Sequence, residues 1–425
     1  MNRRDFLRDS SAVALGAALS RQTWAAEAPS VLIQEFPYGA VRLADSLALA
    51  QREQTHGVLI GLDLASLMRP YRERAGLPFI GDKLGGWYDS EGFAPGHTFG
   101  QWLSALSRYY AATGDAKTRD TLRQWIAAYD LTITRDGKFY QDNRFPAYIS
   151  DKLNCGLVDA ATLTDTPAAF KTLKRATAMV EPYLPAHAMP HIEKTPHDRE
   201  DVTEHWWDES YTLPENLFRA YEASGDTQYL QLAKRFLDDA GYFDALARGE
   251  NVLPGRHAYS HVNALCSAAR AYLVLGERKY LDAARNGFRF VEEQSYATGG
   301  WGPDEHFVVP GSGALGEGLS RVHNTFETPC GSYGQFKIAR YLLRIHWNET
   351  VRHWQLEFDM VAVSPAAPQL RPACRRERLH CFTVDTYACT FVSPFRYSQV
   401  QAKIPRSGSA KRERHLFASR KATRL

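Results

Sequence analysis

The sequence has only six cysteines, no Cys-x-x-Cys pair, and no apolar run near the roughly 20 residues of a membrane-spanning helix. Three cysteines lie beyond residue 370 and the others are far apart, so disulfides are not expected to organise the fold. The formal net charge is only +3, which gives no argument for a nucleic-acid partner. The 425 residues are 44% hydrophobic and 12% aromatic, which indicates a large globular core and excludes disorder, collagen and coiled coil.

The N-terminus has the pattern of a twin-arginine signal peptide over residues 1–28. Arg3-Arg4 precedes Phe-Leu, a short apolar stretch follows, and small residues near Ala26 suit peptidase cleavage. We therefore expect a periplasmic or secreted protein that leaves the membrane after cleavage. The alternative is a basic amphipathic helix that stays attached.

A turn signal repeats between residues 101 and 345, where a glycine followed by an acid separates two runs with helical apolar spacing. The glycine suits the C-terminal end of one helix and the acid the start of the next, so each unit predicts a helical hairpin. The repeats predict an all-α domain over residues 29–345, in which the hairpins close into an α/α toroid. The signals are Gly114-Asp115, Gly225-Asp226, Gly276-Glu277 and, more weakly, Thr164-Asp165-Thr166.

The predicted loops between hairpins are rich in aromatic, histidine and acidic residues. The three richest loops span residues 85–88, 204–209 and 299–307. Loops on a rigid scaffold commonly carry function, and exposed rings commonly stack on sugars, which makes Trp301 a candidate substrate-binding residue. The alternative is that the tryptophans plug the core at the loop bases.

The repeat stops after Ile345, and a tail without helical or strand period follows over residues 346–425. The last 75 residues carry 14 basic and five acidic side chains, a net charge of +9, whereas the preceding 350 have a net charge of −6. A basic appendage that binds a polyanion is one interpretation. We favour a reading-frame change near Ile345, because composition and period change together in the middle of a repeat, and this would leave the toroid incomplete.

Several side chains could carry chemistry. Glu305 lies in a Gly-rich loop that could raise a carboxyl pKa for general-acid work, although a solvated acidic loop is an equal alternative. Glu327 and Cys330 could share a zinc ion, but they provide only half of a site. His97 precedes a predicted helix, and His257 and His261 share one face of another, although single histidines are more often structural.

Six segments together resemble glycoside hydrolase family 127, the β-L-arabinofuranosidase-like proteins, from about Gln34 to Ile345. The resemblance implies an (α/α)6 toroid followed by β-sandwich material, and a retaining exo-enzyme that releases non-reducing terminal sugars. The segments are Phe36–Leu43, Gly96–Thr98, Leu213–Leu217, Gly255–His261, Gly299–Phe307 and Glu327–Cys330.

The resemblance also implies roles for individual residues. Glu305 is the acid/base, and Glu327 and Cys330 are zinc ligands. His97, with either His257 or His261, binds the sugar. The nucleophile would be a thiolate held by zinc, because zinc deprotonates a thiol that is otherwise mostly neutral.

Two features depart from the family pattern. Two residues separate Glu327 from Cys330, where the family has one. The family's adjacent cysteine pair, which contains the nucleophile, occurs nowhere in this sequence. We therefore expect a zinc-thiolate glycosidase by descent that lacks its nucleophile and is inactive. One alternative is a silent carbohydrate-binding protein; another is a zinc-free hydrolase that pairs Glu305 with Asp208 or Glu209.

Overall fold

The computed structural model describes residues 31–143, 145–188, 208–296, 299–321 and 331–345. The signal peptide, Glu327, Cys330 and the tail lie outside these ranges, and the expectations about them stay predictions. Inside the ranges all regular structure is helical, with two isolated β-bridges and no strand, which confirms the all-α prediction. The helices are α1 (Leu47–Ile60), α2 (Leu64–Arg74), α3 (Thr98–Thr113), α4 (Ala116–Asp130), α5 (Pro146–Leu163), α6 (Ala168–Val180), α7 (Leu213–Ser224), α8 (Thr227–Arg235), α9 (Asp244–Ala247), α10 (Ala258–Leu275), α11 (Arg278–Glu292), α12 (Ala314–Arg321) and α13 (Gly331–Ile345).

The hairpin turns lie where the repeat predicts them. Gly114, Gly225 and Gly276 each end a helix with a positive φ of 71° to 75°, a conformation that a side chain would strain. Asp115 then caps α4 by accepting the Thr118 N–H at 2.9 Å, and an aspartate caps α8 in the same way. The acid of the third turn makes no such cap bond. The weaker signal is also a turn, because α5 ends and α6 begins around it.

The hairpins arrange their helices in two layers, as in an α/α toroid. The inner helices α3, α5, α7, α10 and α13 follow one another, each packed against the next. The first part of the inner helix α3 is buried on all sides, since every residue of Thr98–Arg108 is buried. The outer helices α4, α6, α8 and α11 each cover the preceding inner helix with one apolar face. None of the helices in the described ranges is long and apolar enough to cross a membrane.

One buried ionic cluster joins three neighbouring inner helices. Asp159 of α5 is fully buried and accepts hydrogen bonds from Arg108 of α3, Ser104 of α3 and Arg219 of α7. Arg108 also donates to the Tyr38 hydroxyl, which ties the segment before α1 to the cluster. The cluster fixes the mutual position of three inner helices whose first turns carry the candidate site.

Candidate active site

The candidate site lies at the end of the toroid where the inner helices begin. Inner and outer helices alternate in direction, so all inner helices run parallel and their first turns meet at one end. His97 directly precedes α3, and His257 is the N-cap residue of α10. Glu209 lies four residues before α7. The N-termini of these helices each contribute a positive partial charge at this end.

A carboxylate–histidine cluster of Glu209, His257 and Glu305 occupies this end. Nδ1 of His257 lies 2.8 Å from Oε1 of Glu209, and Nε2 lies 3.9 Å from Oε2 of Glu305. The side chains of Glu209 and His257 are 5% and 13% exposed, whereas that of Glu305 is 39% exposed. Glu305 is therefore the member of the cluster that a ligand reaches first.

Backbone pairing holds Glu305 beside His257. The Phe307 N–H donates to the Arg256 carbonyl at 3.0 Å, and the Gly255 N–H donates to the Phe307 carbonyl at 2.8 Å. These bonds place the loop before Phe307 against the start of α10, which the spacing in the sequence could not show.

Both carboxylates of the cluster stand on strained backbone. Glu209 and Glu305 have positive φ angles of 36° and 63°, and Asp304 has 54°. Left-handed backbone costs a residue with a side chain roughly 1–2 kcal/mol. Asp304 also forms an exposed ion pair with Arg321 at 2.6 Å, which at the surface contributes at most about 1 kcal/mol. Strain of this kind concentrates at functional sites.

His97 presents a buried nitrogen with no hydrogen-bond partner among the described residues. Its Nδ1–H donates to the Ala94 carbonyl at 2.7 Å, which leaves Nε2 buried and unsatisfied. The ring lies between Trp87 and Tyr148, at centroid distances of 6.0 and 5.7 Å. Burial lowers the pKa of His97 to about 4, so the ring is neutral at pH 7. A neutral Nε2 can accept a hydrogen bond from a sugar hydroxyl.

The buried neutral state of His97 predicts a pH dependence of stability. The folded-state pKa of about 4 lies below the ordinary 6.5, so the unfolded chain binds more protons between these values. Stability is therefore lost as the pH falls from 7 to 5, by about 2 kcal/mol from this residue. We expect His97→Asn to remove that part of the slope in urea unfolding at the two pH values. His187→Asn, at an exposed histidine, is the comparison variant.

Tyr148, Lys152 and Tyr259 connect His97 to His257. The Lys152 ammonium lies 4.3 Å from the Tyr148 ring centroid and 5.6 Å from that of Tyr259, and Tyr259 lies 6.1 Å from His257. Burial opposes the charged form of Lys152, but Asp151, Tyr148 and Glu209 outweigh it and raise its pKa. Sequence reasoning missed these three residues. Tyr148 and Lys152 lie in the first two turns of α5, and Tyr259 is the second residue of α10.

His261 and Trp301 are enclosed rather than open to a ligand. The His261 Nδ1–H donates to the His257 carbonyl at 2.8 Å, and burial holds its pKa well below the usual value. Trp301 is 2% exposed, stacks on Phe307 at 5.4 Å and packs on the first residue of α13. The position of Trp301 thus fits the alternative interpretation, in which the tryptophan fills the core at the base of its loop. Its role and that of His261 in sugar binding stay predictions.

The two acids considered as partners for Glu305 have different surroundings. Asp208 caps α5 by accepting the N–H groups of Ala147 and Tyr148 at 2.8 and 2.9 Å. Burial raises the pKa of Asp208 well above its usual range despite these bonds. Glu209 faces the site, but the His257 ring stands between it and Glu305. The alternative of a hydrolase with two catalytic carboxylates would thus pair Glu305 either with Asp208, which is bound to backbone N–H groups, or with Glu209, which the His257 ring separates from Glu305.

The described residues provide no zinc site. No group of three or more His, Cys, Asp or Glu side chains in the described ranges could hold a metal ion. The cysteines in those ranges, Cys155 and Cys266, are free and buried, and burial raises the pKa of both thiols. The candidate ligands Glu327 and Cys330 lie outside the ranges.

Comparisons with known proteins agree with the helical fold. The family model of the β-L-arabinofuranosidase GH127 catalytic domain matches residues 40–352. A solved GH127 β-arabinofuranosidase is 16% identical with a TM-score of 0.55, and the match covers 78% of this chain and 54% of that one. The GH127 β-L-arabinofuranosidase of Geobacillus stearothermophilus T6 is 16% identical with a TM-score of 0.51, covering 76% and 55%. This chain thus spans about half the length of both, and at this identity they show the fold. No curated protein matches the sequence.

Proposed function

Since this chain belongs to the GH127 family of β-L-arabinofuranosidases, we propose that its site binds the non-reducing terminal sugar of a β-L-arabinofuranoside or a related plant-type glycoside. The carboxylate–histidine cluster carries this proposal. It combines one accessible carboxyl group with buried polar groups at a single helix-lined end. His97 and His257 would hold sugar hydroxyls, because each presents an imidazole nitrogen at this end. We propose no nucleic-acid partner.

The proposed role of Glu305 is general acid and base in a retaining mechanism. Its carboxyl group would protonate the leaving oxygen and later take a proton from the attacking water. Its exposure of 39% gives a leaving group access, and the paired loop holds it beside His257. The roles follow from the family resemblance, and the geometry is compatible with them.

We propose that this chain binds the sugar without hydrolysing it. The family's nucleophile belongs to an adjacent cysteine pair, and no such pair occurs in the 425 residues. Cys155 and Cys266 cannot replace it, since buried thiols with raised pKa values are poor nucleophiles. Glu327 and Cys330 would hold a zinc ion, which when bound would keep the Cys330 thiol deprotonated. Two ligands make only half of a tetrahedral site, so we expect this chain to hold zinc weakly. One tightly held zinc per chain in elemental analysis would overturn this expectation.

Calorimetry with methyl β-L-arabinofuranoside tests the proposed function. We expect measurable binding by the wild-type chain, about tenfold weaker binding after His257→Ala, and no release of arabinose. A tenfold loss corresponds to about 1.4 kcal/mol, the usual scale of one hydrogen bond to a ligand. His187→Ala is the comparison variant, because this histidine is exposed. Absence of binding heat would remove the sugar-site proposal, and release of arabinose would remove the proposed inactivity.

Export is a separate proposal. The twin-arginine pattern of residues 1–28 supports a periplasmic or secreted location. Replacing Arg3-Arg4 by two lysines should leave the protein in the cytoplasmic fraction. Continued export of that variant would contradict this route.

A further inference from the structure

Glu209 combines three properties that ordinary loop acids lack. Its side chain is 5% exposed, its backbone is left-handed with φ at 36°, and its carboxylate meets Nδ1 of His257 at 2.8 Å. The left-handed backbone conformation is by itself unfavourable for a glutamate, because it costs roughly 1–2 kcal/mol. The conformation does, however, bring the carboxylate onto one particular nitrogen of a site residue.

We propose that Glu209 is a positioning residue that holds His257 as the Nδ1–H tautomer, so that the lone pair of Nε2 faces Glu305. This inference rests on the proposed function for its purpose, but the tautomer itself can be tested without a sugar. Glu209 acts through His257 and is not itself a group that touches the reacting atoms.

The tautomer follows from the chemistry of the two contacts. An ionised carboxylate only accepts hydrogen bonds, so Nδ1 at 2.8 Å must carry the proton and donate it to Oε1 of Glu209. In a neutral imidazole the proton is then absent from Nε2. Oε2 of Glu305 lies 3.9 Å from Nε2, so the lone pair of Nε2 faces the accessible carboxyl group of the cluster.

The surroundings fix the His257 ring as well as its proton. Ser260 lies in the first turn of α10, and its hydroxyl is 2.9 Å from Nδ1 of His257 and 2.9 Å from the Tyr211 hydroxyl. Tyr211 is itself buried two residues after Glu209. The carboxylate, Ser260 and Tyr211 thus converge on one side of the ring, and the other side faces Glu305.

Histidine side-chain nitrogens can be read directly by two-bond 1H–15N correlation on the full chain labelled with 15N-histidine. The His257 signals are identified by their loss in His257→Gln. We expect the wild type to show a protonated Nδ1 and an unprotonated Nε2. Glu209→Gln should keep this pattern, because an amide oxygen still accepts the Nδ1–H. Glu209→Ala should move the proton to Nε2.

A neighbouring acid supplies the control. Asp208→Asn removes a buried carboxylate that caps α5, so it should reduce stability and leave the His257 tautomer unchanged. A wild-type Nε2–H tautomer, or an unchanged pattern in Glu209→Ala, would overturn the inference. If Glu209→Ala fails to fold, the wild-type spectrum and Glu209→Gln still decide it.

Sugar affinity separates this inference from the proposed function. Glu209→Ala should weaken methyl β-L-arabinofuranoside binding about tenfold, and Glu209→Gln should restore affinity to within about threefold of the wild type; tenfold is 1.4 kcal/mol. If no chain binds the sugar but the tautomer responds as expected, the proposed function fails and the role of Glu209 stands. If the sugar binds and the tautomer does not respond, the reverse holds.

Discussion

Asp159→Asn is expected to lower the free energy of unfolding by about 3–5 kcal/mol, the usual cost of breaking a buried ion pair from one side. The substitution leaves the buried guanidinium group of Arg108 and the partly buried one of Arg219 among three inner helices without their shared anion. A surface ion pair would cost far less, because water replaces the lost partner. Equilibrium urea unfolding followed by circular dichroism measures the effect.

The matched control for Asp159 is Asp282→Asn. Asp282 pairs with Arg278 on the surface of α11 at 3.0 Å, and we expect a loss of at most about 1 kcal/mol there. Equal losses at the two positions would contradict the assignment of Asp159 as the anion that joins the inner helices.

Acid titration gives a second readout for Asp159. Burial opposes its ionised form, but Arg108 and Arg219 outweigh burial and hold the pKa of Asp159 below its usual range. A depressed carboxyl pKa stabilises the fold above the unfolded pKa of about 3.9, and this contribution is lost as the pH falls through the folded value. The wild type should therefore lose more stability than Asp159→Asn at the acidic end.

The hairpins could be predicted from sequence because their signals are local. A glycine with positive φ and a capping aspartate act within a few residues, so Gly114-Asp115 and Gly225-Asp226 mark real helix ends. The same holds for His97 and His257, which lie at the starts of helices that the pattern already located.

The rest of the site depends on contacts between residues far apart in sequence. Lys152 lies inside a continuous helical pattern, and only the packing of α5 shows that its ammonium lies between Tyr148 and Tyr259. The sequence shows that Trp301 lies in a loop rich in aromatic residues, but it does not show whether the ring is exposed or buried; the structure shows that it is buried. The contact of Glu209 with His257 requires the starts of α7 and α10 to meet, which no local spacing encodes.

Gly100→Ala is expected to cost about 3 kcal/mol or more, at the upper end of overpacking effects. A Cβ atom at Gly100 would approach the backbone of Lys152 and Leu153 more closely than the 3.0 Å that real Cβ atoms respect. Gly156 meets the Gly100 carbonyl in the same way, so α3 and α5 touch backbone to backbone here. Backbone cannot swing aside, and the two helices must separate.

The separation would also displace the site, because Lys152 is one of the contacted residues and Tyr148 lies one turn before it. Gly57→Ala is the matched control. Gly57 lies inside α1 and an added Cβ would meet nothing within 4 Å, so alanine should stabilise the fold by about 0.5–1 kcal/mol through its better helix propensity. The same substitution in two helices should thus change urea stability in opposite directions. A stabilising effect of Gly100→Ala would mean that α3 and α5 do not pack at this distance. The contact between His97 at the start of α3 and Tyr148 of α5 would then also be wrong.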